Sequence, residues 1–103
     1  MKLYTNKDQT AKLIELGFDR PNPKFELDCN GDYRARVSEA NYSIGELISF
    51  LPDDGVSNKR LEFDCFYWIV DWDSFDKIHQ TMQVELVDAL YEMADKLKEK
   101  GVI

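Results

Sequence analysis

The C-terminal stretch "QVELVDALYEMADKLKEKG" constrains the fold most. Val87, Leu90, Ala94 and Leu97 recur at spacings of three and four, which sets an apolar seam along one side of an α-helix. Val84, Leu86, Tyr91 and Met93 broaden the seam. Glu85 and Asp88 fall in the early turns and Lys96, Lys98 and Lys100 in the last, each sign favoured by the dipole at its end. Gly101 supplies a natural stop. A helix with so broad an apolar side must lie against another layer, and the rest of the chain has to provide it.

Two shorter helices are expected upstream. In "TNKDQTAKLIELGF", Thr5 or Asn6 caps the first turn, Leu13, Ile14 and Leu16 form the apolar face with Ala11, and Gly17 ends the helix. In "YSIGELISFLPDDG", Ser43 and Glu46 make a capping box, Ile44, Leu47, Ile48 and Leu51 share one face, and Pro52 stops the helix. Tyr42 is placed to staple against a later turn. "DRPNPK", with two prolines in three residues, reads as a loop.

Alternation marks the strands. "KFELDCNGDYRARVSE" reads as a hairpin, Phe25 and Leu27 on one arm and Tyr33, Ala35 and Val37 on the other, with Asn30-Gly31 as the turn. "LEFDCFYWIVDWDSFD" reads as a strand over Leu61–Val70, its odd-numbered side chains in the core, Cys65 among them, followed by a turn over Asp71–Ser74. "FDKIHQ" then pairs back as a last strand. The expected fold is a single α+β domain over residues 1–103, with element order α-β-β-α-β-β-α and a small antiparallel sheet of about four strands. Its helices pack on one face of that sheet.

Charge narrows the function. Twenty acids against thirteen bases give a formal net charge of −7. Sequence-independent nucleic-acid binding relies on Lys and Arg neutralising phosphates, and an anionic membrane surface also selects basic patches, so neither partner is expected. No signal-like or membrane-spanning apolar run is present in the 103 residues, and Cys29 and Cys65 form no C-x-x-C pair. A cytoplasmic chain with free thiols is expected.

Candidate chemistry is sparse. Asp71, Asp73 and Asp76 form a D-x-D-x-x-D cluster that offers oxygen ligands to a hard cation. The cluster lacks the glycine and glutamate of an EF-hand loop, and aspartates also favour turns for their own backbone hydrogen bonds. His79, the one histidine, has no partner in "DKIHQTM" for acid–base work and is expected at the surface or at a strand end. No nucleophile, zinc or phosphate-loop motif occurs, so a non-enzymatic interaction module without a cofactor is expected, and the alternative is a metal-binding protein or metal-dependent enzyme built on Asp71, Asp73 and Asp76. Glu85, Asp88, Glu92, Asp95 and Glu99 form an acidic ridge on the last helix, either a solvated face or a docking surface for a basic protein. Whichever of Trp68 and Trp72 stays exposed is a candidate interface anchor. A homodimer through the terminal helix or an open strand edge is a further expectation.

The phrases "YSIGELISFLP" and "ELVDALYEMADKLKEKG" together resemble small acidic proteins of Bacteroides-type gut bacteria, their phages and mobile elements. The resemblance implies a bacterial or phage origin and an accessory role. It carries over no activity, cofactor or residue. "CFYWIVDWDSFDK" is more aromatic than such proteins would lead one to expect.

Overall fold

A computed structural model of the chain describes residues 2–21, 25–27, 33–35, 41–52, 58–74 and 77–103. The elements in order are α1 (Lys7–Glu15), β1 (Phe25–Leu27), β2 (Tyr33–Ala35), α2 (Ile44–Ser49), β3 (Asn58–Asp64), β4 (Tyr67–Ser74), β5 (Lys77–Gln83) and α3 (Leu86–Glu99). The α+β class and the helices packed on an antiparallel sheet are as expected. The strand count is not. The strands form a two-stranded sheet, β1-β2, and a three-stranded sheet, β3-β4-β5, all antiparallel.

Local signals fix the helix ends. Asn6 accepts from the Gln9 amide and Gln9 returns a bond to the Asn6 N–H, a reciprocal cap on α1. Ser43 and Glu46 do the same for α2. Gly17 and Gly101 adopt φ of 100° and 71° just past α1 and α3, where a side chain would be strained. The Asn30-Gly31 turn lies outside the described residues, but the pairing Phe25↔Ala35 to Leu27↔Tyr33 joins the two arms expected to flank it.

Helix α3 is the centre of the core. Leu86, Val87, Ala89, Leu90, Met93, Ala94 and Leu97 are buried along it, against Val70 and Trp72 of β4 and against Leu13, Tyr42, Leu47 and Leu51 of the N-terminal helices and their flanks. Each large apolar side chain so buried contributes about 1.5–3 kcal/mol. Val84, expected in the seam, precedes the helix and is exposed. Thr81 donates to the Ala89 carbonyl at 2.7 Å, tying β5 to the first half of α3.

The N-terminal segment straps these parts together. The Thr5 amide donates to the Tyr42 carbonyl at 2.9 Å, and the Tyr42 amide donates to Thr5 Oγ1 at 3.0 Å. Tyr42 is fully buried, packs edge-on to Phe50 at 5.3 Å, and donates its hydroxyl to the Asp19 carbonyl. Burial pushes that phenol up from its usual pKa. Lys59 of β3 donates to the carbonyls of Ile48 and Leu51, tying β3 to the C-terminal end of α2.

Candidate functional site

The sequence "LEFDCFYWIVDWDSFD" does not form one strand and a turn. It forms most of a hairpin: β3 ends at Asp64, Cys65 and Phe66 make the turn, and β4 begins at Tyr67. Cys65 is the turn residue with positive φ, 56°, while Phe66 is not, the pattern of a II′ turn closing a two-residue hairpin. Cys65 is thus exposed in a turn, and Asp71–Ser74 lie in β4.

The turn at Cys65-Phe66 keeps Leu61 and Phe63 on the helix side as expected but inverts the faces of the second half of the stretch. Across a two-residue turn the facing pairs join odd to even numbers: Leu61↔Val70, Phe63↔Trp68 and Lys59↔Trp72. The helix-side face therefore carries the odd residues of β3 and the even residues of β4. Tyr67, Ile69, Asp71 and Asp73 point to the opposite face, which no described helix covers.

At the turn end the helices no longer cover the sheet, and aromatic side chains emerge. Phe66 is 79% exposed and Phe63 56%, and Tyr67 is exposed on the other side of the ribbon. Trp68 is half-buried, seated partly on the core, with its ring 5.1 Å from Phe63 across the hairpin. Glu62 and Asp64 flank them, Glu62 holding Arg60 at 2.8 Å. The result is an apolar cluster with a polar rim at the end of the ribbon.

Trp72 presents no surface. It is 2% exposed and donates from Nε1 to the Pro52 carbonyl at 3.1 Å, so the end of α2 covers it. Asp71 and Asp73 are alternate strand residues, not loop ligands. Asp71 accepts from Gln80 at 2.8 Å, Asp73 Oδ1 is buried without a partner among the described residues, and Asp76 lies outside them. Among the described residues no three His, Cys, Asp or Glu side chains converge as a metal site would require.

The acidic ridge is divided. Glu85 accepts from the Lys2 amide, and Asp88 accepts from Lys2 Nζ at 2.7 Å and from Gln9 at 2.8 Å. Burial alone would raise the Asp88 pKa; those two hydrogen bonds and the Lys2 charge outweigh it and hold it below the usual value. Glu92 is exposed and accepts from Gln83. Asp95 is part-buried with Oδ1 unpartnered among the described residues, and burial followed by the neighbouring Glu99 raises its pKa. Glu99 is paired with Lys12 at 3.1 Å.

His79 is not at the surface. It is buried on the helix side of β5 with its ring 6.0 Å from Trp72 and Nε2 without a partner among the described residues. Burial, then the charges of Lys100, Lys96 and Lys77, lowers its pKa. Beside β5 runs a groove of about 390 Å³, with Gln80 and Met82 on the strand wall and Glu92, Asp95, Lys96 and Lys100 on the α3 wall.

Sequence reasoning singled out Trp68 but missed Phe63, Phe66 and Tyr67 as surface residues, because Cys65-Phe66 contains no Gly, Asn or Pro to mark a turn. No helix of the described residues is long and apolar enough to cross a membrane. No family model, curated protein or solved structure matches the chain.

Proposed function

We propose that this is a non-enzymatic protein-interaction module that grips a protein partner with the aromatic end of the β3–β4 hairpin. The observation that carries the reading is the cluster itself: Phe63, Phe66 and Tyr67 exposed around a half-buried Trp68. Leaving such side chains in water is unfavourable by about 25 cal/mol per Å² of apolar surface, and a partner that covers them recovers that energy. Trp68 and Tyr67 combine large apolar area with a polar handle, as interface anchors do. The seat of Trp68 on the core limits the side-chain entropy lost on binding.

The net charge of −7 and the rim acids Glu62 and Asp64 favour a partner with basic residues around an apolar depression. Of the acidic ridge, Glu92 and Asp95 supply a second, weaker charge attraction on α3, whereas Glu85 and Asp88 are engaged by Lys2. An accessory role in the cytoplasm of a gut bacterium, as the sequence resemblance implies, accords with this reading.

The test is affinity capture from a gut-bacterial lysate with wild-type protein and with a Phe63→Ser/Phe66→Ser variant, at low and high salt. Wild type is expected to retain a partner that the variant loses at either salt, while charge reversal at Glu92 and Asp95 weakens capture only at low salt. Equal retention by wild type and the aromatic variant would refute the reading.

A further inference from the structure

Strand β5 is the edge of the three-stranded sheet, and its outer side meets no other strand among the described residues. The direction of its free backbone groups follows from the hairpin. Asp64 and Tyr67 close a two-residue turn and so form a hydrogen-bonded pair, and such pairs alternate along an antiparallel ladder. Residues 67, 69, 71 and 73 of β4 therefore bond to β3, and residues 68, 70, 72 and 74 bond to β5. Their partners on β5 are Gln83, Thr81, His79 and Lys77. The N–H and C=O groups of Ile78, Gln80 and Met82 are left pointing out from the open edge. The side chains of Ile78 and Met82 are 76% and 54% exposed on the face that no described helix covers.

An edge that no described strand pairs is a template for another strand, and natural proteins normally blunt it with charge, proline or a bulge. Lys77 sits at one end of β5, but residues 78–83 contain neither a charged residue nor proline. We infer that β5 pairs antiparallel with β5 of a second copy of this chain, making one continuous six-stranded sheet about a two-fold axis through Gln80. That register overlaps the whole strand Lys77–Gln83 and is self-complementary. Ile78 faces the partner copy's Met82, Gln80 faces its own equivalent, and all three free residues exchange ladder hydrogen bonds.

Charge on the flanking helix selects the same occupant. The α3 wall of the groove carries Glu92 and Asp95 toward one end and Lys96 and Lys100 toward the other, while Glu99 is engaged by Lys12. A two-fold axis inverts that order, so the bases of one copy meet the acids of the other. Helix α3 packs over β4 and β5 alike, which sets the two α3 axes about two strand spacings, ~10 Å, apart. Long Glu and Lys side chains span that separation. The aromatic hairpin ends then lie at opposite ends of the joined sheet, a bivalent arrangement.

Sedimentation velocity on the full chain from about 1 µM to 500 µM tests the inference, with circular dichroism confirming each variant folded. Wild type is expected to pass from monomer to dimer within this range. Ile78→Lys/Met82→Lys changes only exposed side chains and should raise the dimer dissociation constant about 100-fold or more. Gln80→Pro removes an outward N–H that β4 does not use and should do the same. Glu92→Lys and Lys100→Glu should each weaken the dimer about 10-fold, whereas the two together restore it, because the pair is only exchanged across the axis. Phe66→Ser should leave it unchanged, which separates this surface from the aromatic one. A monomer throughout, or a dimer indifferent to the β5 variants or not rescued by the exchanged charges, would overturn the inference.

Discussion

Phe63 and Trp68 face each other across the β3–β4 ladder with ring centroids 5.1 Å apart, one exposed and one half-buried. They occupy a non-hydrogen-bonded pair, the closer of the two antiparallel pairings, where aromatic side chains reinforce each other by about 0.2–1 kcal/mol. Phe63→Ser is therefore expected to cost under about 1 kcal/mol of stability in urea unfolding while removing partner capture. Loss of both together through unfolding would show that Phe63 serves the fold.

The two tryptophans should separate cleanly. Trp72 is enclosed and hydrogen-bonded to Pro52, so Trp72→Phe should cost about 2 kcal/mol, combining a smaller ring with an unpaired carbonyl. Trp68→Phe should cost under about 1 kcal/mol. In fluorescence, the Trp68→Phe protein should emit further to the blue and resist acrylamide quenching more than the Trp72→Phe protein. The reverse order would contradict the burial described above.

Cys65 holds a φ of 56° at the first central position of its turn, where glycine is favoured. Cys65→Gly should raise the urea midpoint, worth about 1 kcal/mol, with the denaturant slope unchanged. Cys65→Val should lower it, since a β-branched side chain tolerates that region least.

Stability should depend on pH through His79. Its pKa is lowered from 6.5 on folding, mainly by burial and then by Lys100, Lys96 and Lys77. The folded protein thus binds fewer protons than the unfolded chain, and the contribution is complete above about pH 6.5 and lost as pH falls through the lowered value. Melting temperature should fall between pH 7 and pH 5 in wild type. The fall should be shallower in His79→Phe, a change the unpartnered Nε2 permits.

Asp95 has the opposite sign. Its pKa is raised, by burial first and Glu99 next, so its contribution is present below the ordinary carboxylate value of 3.8 and lost as pH rises through the raised one. Asp95→Asn should stabilise the protein by a few tenths of a kcal/mol at pH 7, roughly the relief of one like-charge helix pair, and not at pH 3. Differential scanning calorimetry at the two pH values distinguishes these outcomes.

What the sequence determined by itself is local. The reciprocal caps at Asn6–Gln9 and Ser43–Glu46 join residues three apart, and the glycine stops at 17 and 101 depend on one dihedral angle each. The α3 seam repeats within a single helix, and Val87, Leu90, Ala94 and Leu97 are all buried as their spacing requires. Such features need no distant partner to be legible.

Only the tertiary structure decided the middle of the chain. Apolar and polar residues alternate through Cys65-Phe66 without a turn residue, so a long strand and a hairpin share one pattern there. The hairpin prevails because it gives Val70 and Trp72 a place under α2 and α3, contacts that link residues far apart in the chain. The same choice exchanged the faces of β4, closed Trp72 away beneath Pro52, and exposed Phe63 and Phe66 at the ribbon's end. Strand periodicity has only two faces to offer, and which of them meets a helix is set by packing, not by the local sequence.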